Sequence, residues 1–331
     1  MTIGVVGGTG NISASFVKLL VEKGHEVVCF NRGLRGPTPE GTRAIRGDRW
    51  KDREGFERAM QAEKLDAAID MMCFTREDAA SSLRAFRGVG HLVHCSTVDT
   101  YGVEQHWLPV TEDHPVHPLS DYARGKVEAD NLLLAARYAE GFPVTIIKPM
   151  MTYGAQMGLL RQLGWDFSWL DRIRKGKPIL VCGDGHALVQ ALHVDDAAPC
   201  FANIVGRERC IGQVYNMVRR EFMTWAEWHR TAMKVIGREV ELVGVPYADL
   251  AALNVPGEGG PKIEFAYDSY FSAEKLFRDV PEFQPRVALE EGMAQVLEAM
   301  DRDGRIRDSD DIEWEDQIIA AQRKVRKAGG G

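Results

Sequence analysis

The chain has 331 residues, 45% hydrophobic and 27% charged, with a formal net charge of −7. That length buries a sizeable core in one or two domains, and the acidic balance argues against a nucleic-acid surface, which needs a basic stripe. No apolar run approaches a membrane span, the first residues already read as a strand rather than a leader, and the six cysteines (Cys29, Cys73, Cys95, Cys182, Cys200, Cys210) form no CxxC pair, so we expect a cytoplasmic protein with free, buried thiols.

The chain opens on the apolar run Ile3-Gly4-Val5-Val6, followed by Gly7-Gly8-Thr9-Gly10-Asn11-Ile12-Ser13. Strand, glycine turn and helix in that order make a dinucleotide cradle. Gly7 permits the tight turn, Gly10 lets the backbone approach a pyrophosphate, and Ser13 is small enough for close helix–strand packing. The helix beginning at Asn11 and Ile12 aims its amide end at the same phosphates. Ile12, Phe16, Leu19 and Leu20 recur at helical spacing, and Gly24 is placed for a left-handed cap. Further strand patterns at 26–30, 43–45, 67–71, 91–95 and 144–147 alternate with helical ones, which predicts a parallel sheet with right-handed crossovers.

The second strand ends in Phe30-Asn31-Arg32-Gly33, with no carboxylate for the ribose hydroxyls. Asn31 does not repel a 2′-phosphate and Arg32 can pair with it, with Arg35 a second candidate. The reading tips to NADP(H), with NAD(H) bound through Asn31 the alternative. Asp48, after the third strand, either accepts from the adenine amino group or caps a turn.

The fifth strand runs into Cys95-Ser96-Thr97, and Tyr122 and Lys126 follow in a helix that also turns Val127, Leu132, Leu133 and Leu134 inward. One helical turn separates Tyr122 from Lys126, so they share a face. A phenol titrates near pH 10, too high for a good base at neutral pH; a nearby ammonium and an oxidised nicotinamide both lower it. Lys126 also holds the cofactor ribose. Thr97, with Ser96 in reserve, supplies a hydroxyl to hold the substrate oxygen beside Tyr122. His114 and His117 lie in a His-Pro-Val-His-Pro loop without further ligand-like spacing, so no metal is expected.

Beyond residue 154 the pattern changes. A loop-and-helix stretch at 155–190 carries Trp165, Phe167 and Trp169, which form a stacking lid or the core of a small domain. Residues 192–217 read as sheet-associated again, and a helix from Thr224, a strand at 240–243 and a Gly/Pro loop follow. The expected division is a dinucleotide-binding domain at 1–154, to which 190–220 return, a substrate-binding domain at 155–189 and 221–300, and a helical tail at 301–331. The tail is acidic at 308–316 and basic at 323–327, an order that suits a helix dipole. The fold class is α/β: a Rossmann-type doubly wound parallel sheet with a smaller C-terminal α/β domain.

At this point the chain resembles the extended short-chain dehydrogenase/reductase family, the group of sugar-nucleotide epimerases and dehydratases. The resemblance covers roughly residues 1–300. Besides the glycine turn and Tyr122/Lys126, it rests on Ser96-Thr97 ahead of Tyr101-Gly102, Lys148-Pro149 ahead of Tyr153-Gly154, Gly183-Asp184-Gly185 before His193-Val194-Asp195-Asp196, and Gly212-Gln213-Val214-Tyr215-Asn216. It implies that Thr97, Tyr122 and Lys126 are the catalytic set, that Pro149 contacts the cofactor, and that the C-terminal part binds substrate. It also implies pairing of two copies through the Tyr122 helix, a possible homodimer.

Two departures bear on substrate. Met151 stands where sugar-nucleotide members carry Asn, and Val189 where they carry a diphosphate-binding Arg; Arg161, Arg172, Arg174 or Lys175 are candidate substitutes. Asp99 occupies the place of a dehydratase carboxylate that removes a proton beside the new ketone, or it caps a turn. The function expected is an NAD(P)-dependent epimerase/dehydratase-type oxidoreductase acting on a hydroxyl or carbonyl of a sugar-like small molecule. The alternatives are an NADPH-dependent ketoreductase of a non-nucleotide compound and, in another class, a cofactor-sensing or RNA-binding protein on the same fold. Some relatives with the Asn-Arg-Gly ending bind RNA, although the acidic charge leads us to expect no nucleic-acid partner.

Overall fold

The computed structural model describes residues 1–253 and 263–328, so part of the Gly/Pro loop and the terminal glycines of the expected tail lie outside the described residues. The chain divides into two compact units. The first comprises Met1–Thr152, Ala191–Arg220 and Phe271–Arg286; the second comprises the described residues of Tyr153–Gln190, Glu221–Tyr270 and Val287–Gly331.

The first unit is built on a seven-stranded sheet. Its strands are β1 (Thr2–Val6), β2 (Glu26–Asn31), β3 (Thr42–Arg46), β4 (Ala67–Asp70), β5 (His91–Cys95), β6 (Val144–Pro149) and an edge strand Val214–Met217. They lie in the order Val214–Met217, β6, β5, β4, β1, β2, β3, with every pairing parallel. Strands covered on both faces read as continuous apolar runs, and β1, β4, β5 and β6 are buried along nearly their whole length. The order reverses between β1 and β4, and the carboxyl ends at such a switch point form the crevice where open α/β sheets take ligands.

Helix α1 (Asn11–Glu22) packs with the helix Val194–Ile204, where the Phe16 and Phe201 rings stack at 4.9 Å. Gly24, at φ +79°, follows its end in the left-handed region. Helices α2 (Arg53–Ala62), α3 (Arg76–Ala85) and α4 (Asp121–Glu140) pack in sequence. They share a core of Phe30, Phe56, Met60, Leu92 and Leu133. Of the α4 residues expected inward, only Leu133 is buried; Val127, Leu132 and Leu134 are half-buried, because the helix turns Ala123, Lys126, Ala129 and Asp130 to the sheet. Small side chains there let α4 approach closely.

Residues 271–286 differ from the expected division. They belong to the first unit: Phe271 bridges Val110, Ser272 donates from its backbone N to the Val110 carbonyl at 2.9 Å, and Lys275 Nζ donates to the Val214 carbonyl at 3.0 Å.

The second unit carries a parallel strand pair, Ile179–Cys182 with Leu242–Val245, and a core with fully buried Trp169, Trp225 and Trp228. The expected separate tail is part of this unit. Helix Glu313–Ala328 docks through the wholly buried Glu315, which accepts from Arg161 Nη1 at 2.8 Å, from Arg161 Nη2 at 2.6 Å and from the Leu180 backbone N at 2.8 Å.

Candidate active site

The glycine turn closes on itself through Ser13. Gly7 sits at φ +85°, and its N–H donates to the Phe30 carbonyl at 3.0 Å. The Ser13 hydroxyl accepts from Gly10 N at 2.7 Å and donates to the Gly7 carbonyl at 2.5 Å. Ser13 is therefore a brace for the turn as well as a small packing residue. A Cβ on Gly7 would come within 2.5 Å of Met72 Cγ, so the cradle tolerates no side chain there. Gly10, the N-cap of α1, has no side chain to satisfy the first-turn N–H groups, and Ser13 takes only that of Gly10 itself. The amide end of the helix is left to an anion, which suits a pyrophosphate. Asn11 and Ile12 lie in that first turn, half-buried, with Asn11 Nδ2 at 3.4 Å from Thr152 Oγ1.

A cavity of about 490 Å³ extends from this turn over the ends of β2 and β3. Its lining includes Asn31, Arg32, Arg35, Trp50 and Phe74, and no carboxylate. The Asn31 amide nitrogen is buried without a hydrogen-bond partner, an orphan donor facing a place where a ligand acceptor belongs. Asp48 does not line the cavity; its Oδ1 accepts from Trp50 N at 3.0 Å and Lys51 N at 3.4 Å, which makes it a turn cap rather than an adenine contact. The sequence reading missed Trp50 and Phe74. Both follow strand ends (β3 and β4) at the switch-point edge of the sheet, and that position was the available signal.

Helix α4 starts where Ser120 accepts from Ala123 N, which sets Tyr122 and Lys126 on its first two turns. Lys126 is buried, and its ammonium donates to the Cys73 carbonyl at 2.7 Å and the Cys95 carbonyl at 2.6 Å. Two of its three N–H bonds thus tie α4 to the chain beyond β4 and to the end of β5, and one remains for a ligand. The ammonium lies 4.6 Å from the Phe74 ring centre and 5.9 Å from that of Tyr122. Thr97 caps the short turn Val98–Tyr101 by accepting from Asp99 N at 3.2 Å, and its hydroxyl acts on the Tyr122 phenol, favouring the ionised form.

The electrostatics differ from expectation. Although Tyr122 is 43% exposed, burial around its phenol pushes the phenol up, with the Cys95 and Asp99 side chains adding to the rise and Thr97 opposing it. The protein alone therefore holds Tyr122 protonated: the Lys126 ammonium, 5.9 Å from the ring centre, does not outweigh the burial. Ser96 is not a reserve for Thr97: its hydroxyl donates to Asp130 Oδ2 at 2.8 Å, inside a buried cluster with His94 and Lys148. Burial also pushes the Cys95 thiol up to about 11, which removes it as a nucleophile at neutral pH.

Pro149 ends β6 at the same edge of the sheet, and Met151 just beyond it is buried. In the second unit Val189 is fully buried and pairs with Met223. Trp169 is core, with its Nε1 donating to the Leu159 carbonyl at 3.2 Å, while Trp165 and Phe167 are half-buried. The candidate diphosphate cations are all paired. Arg161 is held by Glu315, Arg172 meets Asp316 at 2.6 Å, Arg174 meets Asp301 at 2.7 Å, and Lys175 meets Asp310 at 2.7 Å and Asp171 at 3.0 Å.

The NAD dependent epimerase/dehydratase family matches residues 3–217. A 2′-dehydrokanamycin reductase of Streptomyces kanamyceticus is 31% identical over 331 residues, covering 98% of this chain and 92% of that protein. The chloroplast stem-loop binding protein of 41 kDa b of Arabidopsis thaliana is 25% identical, covering 96% and 83%. A UDP-glucose 4-epimerase of Thermotoga maritima, solved with UDP-glucose, superposes with a TM-score of 0.71 at 19% identity, covering 92% of this chain and 99% of that one; that likeness shows the fold. The chain belongs to the NAD-dependent epimerase/dehydratase family, within the extended short-chain dehydrogenases/reductases, and is an oxidoreductase of that family.

Proposed function

We propose that the protein reduces a keto group on a polyhydroxylated, sugar-like small molecule that carries no diphosphate, with NADP(H) as its cofactor. The observation that carries this reading is the pairing of Arg161, Arg172, Arg174 and Lys175 with carboxylates of their own unit, together with the apolar identity of Met151 and Val189. A diphosphate draws its affinity from charge-assisted donors, and these are already occupied. Similarity to a protein named for reduction of a dehydro compound supports reduction over epimerisation.

When bound, the reduced nicotinamide supplies a hydride. The chain's own residues do the rest. Thr97 and Tyr122 hold the substrate oxygen, and Tyr122, kept protonated by burial, gives that oxygen its proton. The remaining N–H of Lys126 holds the ribose. The first-turn amides of α1 at Asn11 and Ile12 would take the pyrophosphate, Gly7 and Gly10 would allow its approach, and Pro149 at the end of β6 would contact the cofactor. Asn31 and Arg32, with Arg35 beside them, accept the 2′-phosphate in a cavity free of carboxylates.

The test has two parts. Purified protein is unfolded and any released nucleotide identified; NADPH consumption is then followed with keto sugars lacking phosphate and with UDP-sugars. Turnover of the first group and reversible NADPH binding support the proposal. Tightly held NAD with interconversion of UDP-sugars would replace it with an epimerase. The similarity to a stem-loop binding protein favours a second reading, RNA binding, against which the net charge of −7 weighs. A gel-shift titration with stem-loop RNA decides it. A cytoplasmic location fits six buried, unpaired cysteines. A homodimer through α4 fits its half-buried Leu132 and Leu134 and the 81% exposed Tyr138.

A further inference from the structure

We propose that Arg46, the last residue of β3, and Trp50, four residues beyond it, complete a clamp for the 2′-phosphate with Asn31 and Arg32. Arg46 is a second cation of the site, and Trp50 is a positioning residue that carries Arg32. This rests on the NADP(H) reading and extends it to residues that no sequence motif marks.

The β2–β3 register sets Asn31 directly opposite Arg46. The next turn brings the guanidinium closer still. Gly33 lies at φ +73°, and a Cβ placed on it would fall 2.5 Å from both Nε and Nη2 of Arg46. Arg46 therefore lies flat against the backbone that follows Arg32. Among the described residues no carboxylate pairs with Arg32, Arg35 or Arg46. Arg32 and Arg35 line the cavity and Arg46 reaches Gly33 between them in sequence, so this short stretch carries three like charges with no paired carboxylate, and the Asn31 amide nitrogen is buried without an acceptor. An added dianion relieves both conditions, and the fork of an arginine matches phosphate oxygens two at a time.

Trp50 is fixed before any ligand arrives. Its Nε1 lies 3.4 Å from Asp78 Oδ2, and its ring stacks on Phe74 at 5.9 Å. Asp78 is itself buried and also accepts from Phe74 N at 3.0 Å, so indole and phenyl are anchored together. The Arg32 guanidinium rests over this platform, 5.3 Å from the Trp50 ring centre. Arg32 is exposed and otherwise without an anchor, and the cation–π contact takes up the conformational freedom that a phosphate would have to remove.

The full chain is titrated calorimetrically with 2′,5′-ADP and with ADP, in wild type and in Arg46→Gln, Trp50→Leu and Trp50→Tyr, with circular dichroism as the folding check. Wild type is expected to prefer 2′,5′-ADP. Arg46→Gln and Trp50→Leu each lower that preference by about three- to tenfold while ADP binding stays within about twofold, and Trp50→Tyr, which keeps an aromatic face, retains most of it. An unchanged preference in both Arg46→Gln and Trp50→Leu overturns the clamp. Equal weakening of both nucleotides by Trp50→Leu also overturns it, making Trp50 a platform for adenine. A wild type without preference removes the NADP(H) reading itself, an outcome distinct from the other two.

Discussion

Arg161 and Glu315 are both wholly buried and meet at two points, at 2.8 Å and 2.6 Å, across 154 residues of sequence. The pair fastens the C-terminal helix to the rest of its unit and occupies a guanidinium that would otherwise be open to an anion. Removing Glu315 leaves the buried Arg161 with only the looser Asp166 at 3.5 Å, against a full cost of about 3–5 kcal/mol for a buried charge left without any partner. Glu315→Gln is therefore expected to lower the denaturation midpoint sharply. Replacing both residues by apolar ones of similar size should cost much less. A Glu315→Gln variant with wild-type stability would refute the structural role.

The glycine turn depends on one hydroxyl. Ser13 satisfies Gly10 N and the Gly7 carbonyl together. Ser13→Ala strips both bonds at a partly buried site, worth about 1–3 kcal/mol. Because the loss falls on the phosphate-facing turn, nucleotide affinity is expected to drop by about tenfold, read by calorimetric titration. Unaltered affinity would show that the turn holds its shape without the brace.

Acid sensitivity has identifiable sources. Burial lowers His91 to about 4; burial, aided by the charge of Arg161, lowers His229 to about 3. Both are neutral in the folded protein, while an unfolded histidine takes a proton near pH 6.5. The unfolded chain thus binds more protons below that pH, and stability falls as pH drops from about 6.5 towards the folded values. Chemical denaturation at stepwise pH should show this slope, and His91→Gln should flatten it. An equal slope in the variant would place the sensitivity elsewhere.

Lys126 serves structure and ligand together. Lys126→Met orphans the Cys73 and Cys95 carbonyls. It is expected both to lower the melting temperature and to weaken dinucleotide binding by more than about tenfold. Lowered binding at unchanged stability would mean that the two carbonyl bonds contribute nothing to the fold.

The cofactor half was legible because its signals are local. A strand, a glycine turn and a helix lie within the first 22 residues, and the alternation of apolar runs with helical patterns carries the parallel sheet. Tyr122 and Lys126 are a one-turn pair. What was hidden depends on partners far along the chain. Ser96 and Thr97 are adjacent hydroxyls, and only Asp130, 34 residues away, turns the first inward. Arg161 looked like a surface cation until Glu315 was placed beside it. Residues 271–286 rejoin the first unit through Val110 and Val214, contacts with no periodic signature. The tyrosine's environment was hidden for the same reason, because the burial and the Cys95 and Asp99 side chains that raise its phenol come from the end of another strand.

The central claim is that the Tyr122 phenol delivers a proton while hydride moves to a ketone. Tyr122→Phe tests it most directly, with NADPH affinity and ketone-dependent NADPH oxidation measured on the same preparation. The account predicts affinity within about twofold of wild type and turnover reduced by about 10²–10⁴. Turnover that survives the substitution would contradict it.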